Sequence, residues 1–196
     1  MGTDYEGEDG TLTPTPNPNS TVFSFVVCPH GLGNCGDNVN PLGGNTNPLH
    51  TTKNFTVMLT DTNNHPVPGS PFPGQLTYLS ASQNFQGTLA IPQLPPGQYL
   101  LNLKMRGYLG KQIPNVITVS QGQQVTLPPI SLVTGDITTD NQLDIFDYNV
   151  LIGCFGTKAT SPTCLNKTAS DINDDGTIDG IDLNLFLREL SVQHGQ

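Results

Sequence analysis

Tryptophan is absent from this 196-residue chain, and aromatic residues make up only 7% of it. The chain therefore has no indole platform on which a sugar ring would stack, so its composition does not support carbohydrate binding. Only seven residues are lysine or arginine and they form no basic stripe, which excludes an ordinary nucleic-acid interface. No apolar run approaches the length that crosses a bilayer, and the first ten residues lack the basic and apolar regions of a signal peptide.

Catalytic signatures are missing as well. No GxSxG motif is present to place a nucleophilic serine on a strained turn. Paired carboxylates for glycoside hydrolysis would have to come from Asp37 and Asp61, because the other acidic residues lie in the N-terminal ten residues or after Gly135. We therefore expect a protein that is not an enzyme.

Glycine and proline are abundant, with 21 and 17 residues, and they separate apolar runs of strand length. Alternation is clearest along Phe55, Val57 and Leu59. The strand candidates cover residues 21–28, 53–61, 75–80, 84–91, 97–105, 115–120 and 123–132. They predict a mainly β fold, with an immunoglobulin-like or prealbumin-like β-sandwich of two sheets over residues 21–133.

The second half of this region carries a more specific pattern. The run PPGQY leads into an alternating strand, the pair GY, a further strand, and QGQ before a closing strand. Residues 85–132 thereby resemble the carboxypeptidase-regulatory-like and Cna-B-like sandwich modules of cell-surface proteins. The resemblance implies a spacer, a stalk element or an adhesion scaffold, and no catalytic residue comes with it.

A segment rich in threonine and proline, TLTPTPNPNS, precedes the strand candidates. Such a composition predicts an extended linker. We assign residues 1–20 to a linker or tail, residues 21–133 to the sandwich and residues 134–196 to a C-terminal module. A leader sequence or a membrane anchor is expected outside the printed chain.

The four cysteines occur as two local couples, Cys28 with Cys35 and Cys154 with Cys164. Short-range couples predict two disulfides, and hence an extracellular or cell-surface location, although four cysteines allow three pairings. The alternative is a zinc site, which lacks the tight CxxC spacing of structural zinc sites. Its ligands would be Cys28, His30, Cys35 and His50.

The Gly-rich loop after Cys35 offers oxygen atoms for a separate cation. These would come from Asp37, Asn38, Asn40 and Asn45. Asparagine and glycine are also the ordinary residues of solvated turns, and a turn is the interpretation that we favour here.

Acidic residues are concentrated near the C-terminus, in the stretches GDITTDNQLDIFD and SDINDDGTIDGID. A twelve-residue calcium loop presents oxygen ligands at positions 1, 3, 5, 7, 9 and 12, and position 7 uses its backbone carbonyl. The first stretch fills these positions with Asp136, Thr138, Asp140, Gln142, Asp144 and Asp147. The second fills them with Asp171, Asn173, Asp175, Thr177, Asp179 and Asp182. Turn preferences favour aspartate locally but do not produce the same order twice, so two Ca²⁺ ions are expected.

Other positions of the two loops agree with this interpretation. Position 6 needs a positive φ, and it is Asn141 in the first loop and Gly176 in the second. Position 8 is Leu143 or Ile178, an apolar residue that we expect to enter the core. We expect the first loop to be the weaker site, because Thr138 supplies a neutral oxygen.

Helical spacing follows each loop. The apolar positions are Val150, Leu151 and Phe155 after the first loop, and Leu183, Phe186, Leu187 and Leu190 after the second. Asp147 and Asp182 are expected to start these helices, where a carboxylate suits the positive end of the helix dipole. No amphipathic helix precedes either loop, and VTLPPISLVTG indicates a strand that leads into the first ligands.

This order of loop and helix, opened by GDITTD and SDINDDG, resembles the dockerin family over residues 135–192. The resemblance implies two calcium ions, folding of the module on calcium binding, and a protein partner of the cohesin type or a second copy of the chain. Well-known cellulosomal dockerins place hydroxyl-bearing residues at loop positions 10 and 11. This chain departs from them with the apolar residues Ile145, Phe146 and Ile181.

Partner-binding residues are implied by the same resemblance. They are Ile145, Phe146, Ile181, Leu187 and Arg188. For Ile145 and Phe146 we favour packing against the β region over contact with a partner. The expected function is that of a non-catalytic, extracellular, calcium-binding attachment protein. A subunit of a self-assembling filament or surface layer is one alternative, and an accessory region of a cellulosome-like carbohydrate-active enzyme is another.

Overall fold

The computed structural model describes residues 19–35, 44–158, 164 and 166–193. Most of the linker assigned to residues 1–20 lies outside these ranges, as do the cation candidates Asp37, Asn38 and Asn40. The described chain is mainly β and carries a small helical module towards its C-terminal end. This confirms the mainly β fold that the turn-rich composition predicts.

Five long strands each match a predicted run. They are β1 Ser20–Pro29, β2 Thr52–Asp61, β3 Phe72–Leu79, β4 Asn84–Pro92 and β5 Gly97–Met105. The short strands are β6 Gly107–Tyr108, β7 Lys111–Gln112, β8 Ile117–Val119, β9 Gln124–Thr126, β10 Ile130–Leu132 and β11 Thr134–Asp136. The run predicted at 123–132 divides into β9 and β10, because Pro128 and Pro129 have no N–H for the ladder. The sequence did not predict β6 and β7, which are too short to show alternation.

Nine of the strands form one sheet, in the order β10-β1-β4-β3-β2-β5-β7, with β9 also on β1 and β8 also on β5. The link from Val119 on β8 to Gln124 on β9 joins opposite edges of this sheet. That link reaches at most about 18 Å, whereas a flat sheet would hold the edges about 29 Å apart. The sheet therefore curls until its edges approach. The sequence predicted a sandwich of two separate sheets, but hydrogen bonds join these nine strands into one sheet.

The larger hydrophobic core lies against one face of the curled sheet. Phe55, Val57 and Leu59 are all buried, as their alternation predicts. The rings of Phe25 and Phe55 pack with their centroids 5.0 Å apart, which joins β1 to β2 across the core. Other fully buried side chains are Phe23, Phe85, Leu32, Leu76, Leu101 and Leu103. Burial of each such side chain contributes about 1.5–3 kcal/mol.

The C-terminal module has its own core and is joined to the sheet by a strand pair. Its helices are α1 Ile145–Cys154, α2 Lys167–Ser170 and α3 Gly180–Gln193. β11 pairs antiparallel with β6, so the strand predicted before the first loop exists and it connects the two parts. The buried residues of this core are Ile137, Leu151, Cys154, Cys164, Ala169, Ile172, Ile178, Leu185 and Phe186.

Both predicted disulfides are present, Cys28–Cys35 and Cys154–Cys164. The zinc alternative is therefore wrong, because Cys28 and Cys35 are bonded to each other and cannot act as thiolate ligands. Among the described helices, none has the length and apolar character needed to cross a membrane.

Candidate metal centres and docking surface

The two carboxylate-rich loops occupy equivalent places in the module. Loop 1, residues 136–147, begins at the last residue of β11 and runs into α1. Loop 2, residues 171–182, begins directly after α2 and runs into α3. In both loops the carboxylate at position 12 accepts hydrogen bonds from the N–H groups of positions 3 and 9. This carboxylate therefore draws the two ends of its loop together.

In loop 2 the backbone N–H groups point at the loop's own carboxylates. Asp171 accepts from the N–H of Asp175 at 3.1 Å and from that of Gly176 at 3.0 Å. Asp182 accepts from the N–H of Asp179 at 2.9 Å. A loop wrapped in this way directs alternate side chains inward, which is the arrangement that a calcium loop requires.

Loop 1 repeats this pattern. Asp136 accepts from the N–H of Asn141 at 3.2 Å. Asp147 accepts from the N–H of Thr138 at 2.8 Å and from that of Asp144 at 3.0 Å. In both loops the carboxylate at position 5 also accepts from position 7, and that at position 9 accepts from position 11. The aligned segments therefore fold alike.

The backbone at positions 6 and 8 behaves as the alignment predicts. Asn141 has φ of 68° and Gly176 has φ of 93°, so both adopt the left-handed conformation that the sharp turn needs. Ile178, at position 8, is fully buried, and its backbone bonds to Gly156 and Thr157. Leu143 is partly buried against the same core.

Among the described residues, Asp171 and Asp182 of loop 2 accept hydrogen bonds from backbone N–H groups and from no cationic side chain. Burial, assisted by the charges of Asp174 and Asp175, outweighs the opposing backbone N–H groups and raises the pKa of Asp171 to about 6. Burial likewise raises the pKa of Asp182 to about 6. A divalent cation would supply the missing positive charge.

The donor atoms of both loops suit a hard cation. Oδ1 of Asp136 is buried and has no hydrogen-bond partner among the described residues, so an oxygen of the first position is available as a ligand. Carboxylate, amide, hydroxyl and carbonyl oxygens are the ligands that Ca²⁺ takes. In the described ranges no three acidic, histidine or cysteine side chains converge on one point. A bound ion would thus depend on the mixed oxygen set of each loop.

Side chains of the sheet region reach into both loops. Nζ of Lys104, on β5, donates to Oδ2 of Asp136 and, at 3.0 Å, to Oδ1 of Asn141. Nζ of Lys53, on β2, donates to Oδ2 of Asp174 at 2.9 Å. Asp174 stands at position 4, which is not a ligand position, whereas Asp136 stands at position 1. The sheet therefore places a lysine at ligand position 1 of loop 1 and at the non-ligand position 4 of loop 2.

Other contacts between sheet and module involve uncharged and titratable groups. The amide of Asn45 donates to the backbone carbonyl of Asn173 at 2.7 Å. Nδ1 of His30 lies 2.9 Å from Oε2 of Glu189 on α3. The sequence analysis did not identify these residues as partners, because 128 and 159 positions separate them along the chain. No local motif signals such pairs.

The helices begin earlier than predicted. α1 begins at Ile145, and the side chain of Asp144 accepts from the N–H of Phe146 at 2.8 Å as its N-cap. Asp147 is the third helical residue and bonds back to the N–H of Asp144, which completes a capping box. α3 likewise begins at Gly180, before Asp182. Capping explains the shift, because the ligand at position 9 also satisfies the first N–H groups of the helix.

Ile145 and Phe146 do not pack against the β region, so the preferred expectation for them is wrong. They are 59% and 63% exposed at the start of α1. The cap at Asp144 directs positions 10 and 11 outward, away from the core that Leu151 enters. Ile181, at the equivalent place on α3, is 47% exposed.

The remaining predicted partner residues lie further along α3. Leu187 is 44% exposed. The guanidinium of Arg188 donates to Oε1 of the buried Glu189, so its charge is engaged within the module. Exposed apolar side chains are thus present on both helices, at their starts and along their outer faces.

Comparison with known proteins adds a likeness in sequence and one in fold. No curated protein sequence matches the chain significantly. A chain in each of two solved structures has a similar fold; these are an N-terminal and a C-terminal interface mutant of a type II cohesin–X–dockerin complex from Acetivibrio cellulolyticus. The first gives a TM-score of 0.56 at 20% identity, and the second 0.55 at 19%. Each comparison covers 86% of this chain and 94% of the other. Residues 134–191 match the family model described as Dockerin type I domain, so the loop–helix module is similar to dockerins.

Proposed function

We propose that this chain is a non-catalytic docking protein, in which a sheet region carries a calcium-dependent, dockerin-like module. The observation that carries this proposal is the repeated hydrogen-bond pattern of loops 1 and 2, within a segment that matches the Dockerin type I domain. Dockerin type I domains bind calcium. Each loop would hold one Ca²⁺ ion.

Calcium ligands are proposed from the loop positions. In loop 1 they are Asp136, Thr138, Asp140, the carbonyl of Gln142, Asp144 and Asp147. In loop 2 they are Asp171, Asn173, Asp175, the carbonyl of Thr177, Asp179 and Asp182. The ion supplies charge neutralisation, because nine aspartates repel one another across the two loops.

A calcium titration followed by calorimetry of the full chain tests this assignment. The wild type is expected to bind two equivalents, and Asp182→Asn is expected to lose one of them. Asp174→Asn is the matched control, because it makes the same change of charge in the same loop at a position that is not a ligand. Absence of binding heat, together with an unchanged melting temperature in millimolar calcium, would refute the metal sites.

The proposed partner is a cohesin-like protein that covers the exposed apolar residues of α1 and α3. The exposure of these large apolar side chains supports this, because a partner that buries them contributes favourable free energy to binding. Ile145, Phe146, Ile181 and Leu187 would make the contact, with Arg188 beside them. Cohesins are also partners in the two complexes of similar fold.

Binding to immobilised type I and type II cohesin modules, in calcium and in chelator, tests the partner. We expect calcium-dependent binding that Phe146→Ala weakens about tenfold or more, as truncation of a buried aromatic anchor does. Met58→Ala is the control, because Met58 is an exposed apolar residue on β2. If neither cohesin type binds in calcium, a cohesin partner is ruled out. Size-exclusion chromatography then tests self-association.

The finer classification of the rest of the chain is part of the same proposal. We propose a linker at residues 1–20, an immunoglobulin-like or prealbumin-like sandwich at 21–133 and the docking module at 134–196. The close approach of the sheet's edges supports a sandwich, because curling brings two halves of one sheet face to face. The two disulfides support an extracellular or cell-surface location.

A further inference from the structure

The sheet region delivers an ammonium group to a proposed calcium ligand of loop 1. Nζ of Lys104 donates to Oδ2 of Asp136, to Oδ1 of Asn141 at 3.0 Å and to the backbone carbonyl of Tyr108 at 2.7 Å. All three protons of the ammonium group are therefore used. Asp136 is fully buried, so this ion pair is shielded from water on the carboxylate side.

We infer that Lys104 is a resident cation of loop 1, which stabilises the metal-free loop and lowers its affinity for calcium relative to loop 2. This inference rests on the proposed calcium function. On this inference, Lys104 and a bound calcium ion compete for the carboxylate of Asp136.

The two oxygens of Asp136 have separate roles in this arrangement. Oδ2 accepts from Lys104 and from the N–H of Asn141, whereas Oδ1 has no partner among the described residues. In loop 2 the corresponding oxygens of Asp171 accept from the N–H groups of Asp175 and Gly176. In loop 1, Oδ1 of Asp136 is thus available to a metal ion, whereas Oδ2 already contacts the ammonium group of Lys104.

The direction of the effect follows from charge. Loop 1 carries four carboxylates, Asp136, Asp140, Asp144 and Asp147. The charge of Lys104 attracts this set most strongly when no calcium is bound, and a bound divalent ion both reduces that attraction and repels the ammonium group. Lys104 therefore favours the metal-free loop over the loaded loop. Lys53 differs because it pairs with Asp174, which is not a ligand.

Asn141 strengthens the link between loop 1 and the sheet. Its Oδ1 accepts from Lys104 and, at 2.6 Å, from the backbone N–H of Gly110. Position 6 of the loop is thus fastened to the segment between β6 and β7, and Lys104 holds position 1 from β5. These contacts give loop 1 a fixed place on the sheet that does not require an ion.

The test compares the full-length wild type with Lys104→Met and Lys111→Met. Lys111 is an exposed lysine on β7 with no ion pair among the described residues, so it controls for the loss of one positive charge. In Lys104→Met we expect the weaker of two calcium sites to bind about tenfold or more tightly, as loss of a nearby charge implies. The melting temperature should fall in chelator and be largely restored in calcium. Lys111→Met should match the wild type in both measurements.

Four outcomes of this comparison are distinguished. Calcium affinity that is unchanged or lower in a folded Lys104→Met protein overturns the inference, as does an equal fall of melting temperature in chelator and in calcium. If the wild type itself binds no calcium, the proposed function and this inference both fail, which is a different outcome. If Lys104→Met does not fold in chelator, the substitution is made in the Asp136→Asn variant instead. There Lys104→Met must lower the melting temperature in chelator by less than it does in the wild type, since the charge that Lys104 compensates is gone.

Discussion

Asp136 and Asp171 stand at the same position of two loops with the same backbone pattern, yet their neighbours differ. Asp136 shares one oxygen with an ammonium group from β5, whereas Asp171 accepts from backbone N–H groups alone in the described part of the chain. Spacing in the sequence determines which atoms face into each loop. Lys104, 32 positions from Asp136 along the chain, adds a positive charge to loop 1. We infer that loop 1 therefore binds a cation less tightly than loop 2.

Glu189 is a buried carboxylate outside the proposed ligand sets, and its substitution tests the contact between sheet and α3. Glu189→Gln is expected to lower the free energy of unfolding by about 1.5–3 kcal/mol, because it weakens hydrogen bonds made by a charged group to His30 and Arg188. Chemical denaturation of the metal-free chain at pH 7 measures this loss.

The same substitution has a defined pH dependence. Burial alone would raise the pKa of Glu189, but His30 and Arg188 outweigh it, so the pKa lies below the usual 4.5. A lowered carboxyl pKa contributes stability above about pH 4.5, and the contribution is lost as the pH falls through the folded-state pKa. The difference between wild type and variant should therefore be present at pH 5 and should shrink as the pH falls below about 4.5. A difference between wild type and Glu189→Gln that stays the same from about pH 5 to about pH 3 would contradict this account.

Helix α3 presents different residues to the module core and to solvent. Leu185 and Phe186 are buried in the module core, and the ring of Phe186 packs against Tyr148 with centroids 6.3 Å apart. Leu187 is the next residue and is exposed. Successive residues of a helix point about 100° apart, so adjacent positions can serve the core and a partner separately.

Adjacent substitutions on α3 separate these roles. Phe186→Ala is expected to cost about 3–5 kcal/mol, because it leaves a cavity in the core. Leu187→Ala should change the free energy of unfolding by less than about 1 kcal/mol and weaken partner binding instead. Thermal unfolding of both variants in calcium, with cohesin binding of Leu187→Ala, measures the contrast. Similar losses of stability in the two variants would show that the outer face is also structural.

The sheet region and the module are joined by packing as well as by polar contacts. A Cβ at Gly31, whose φ is 90°, would lie 3.2 Å from side-chain atoms of Ile172 and Leu185. The sheet region therefore approaches the module so closely that only glycine fits there without strain. Strand pairing of β6 with β11 adds backbone hydrogen bonds to the same boundary.

Excision of residues 134–196 tests how far the module depends on the sheet. The fragment loses the sheet-side partners of three buried carboxylates, so Asp136 and Asp174 are left without their lysines and Glu189 keeps only Arg188. We expect the fragment to be unfolded in chelator and to fold when calcium is added, while the intact chain keeps its module folded in both. Circular dichroism during a calcium titration detects this. A fragment that stays folded in chelator would show that the module's own core is sufficient.

Much of the architecture was predictable because it depends on local periodicity. Alternation located the long strands, and spacing located the two loops and the helices after them. The start of α1 was placed two residues late, because the capping role of Asp144 competes with its role as a ligand and spacing alone does not distinguish them. The exposure of Phe146 was missed for a related reason: apolar character indicates burial but not which surface provides it.

The long strands, the two local cysteine couples and the twelve-residue order of oxygen donors were predictable from the sequence, since each depends on residues that are close along the chain. The single curled sheet in place of two hydrogen-bonded sheets, and the contacts of Lys104, Lys53 and His30 with carboxylates of the module, became visible in the folded chain. Such meetings depend on how distant segments fold together, and the strength of a charge pair depends on the distance and burial that folding creates.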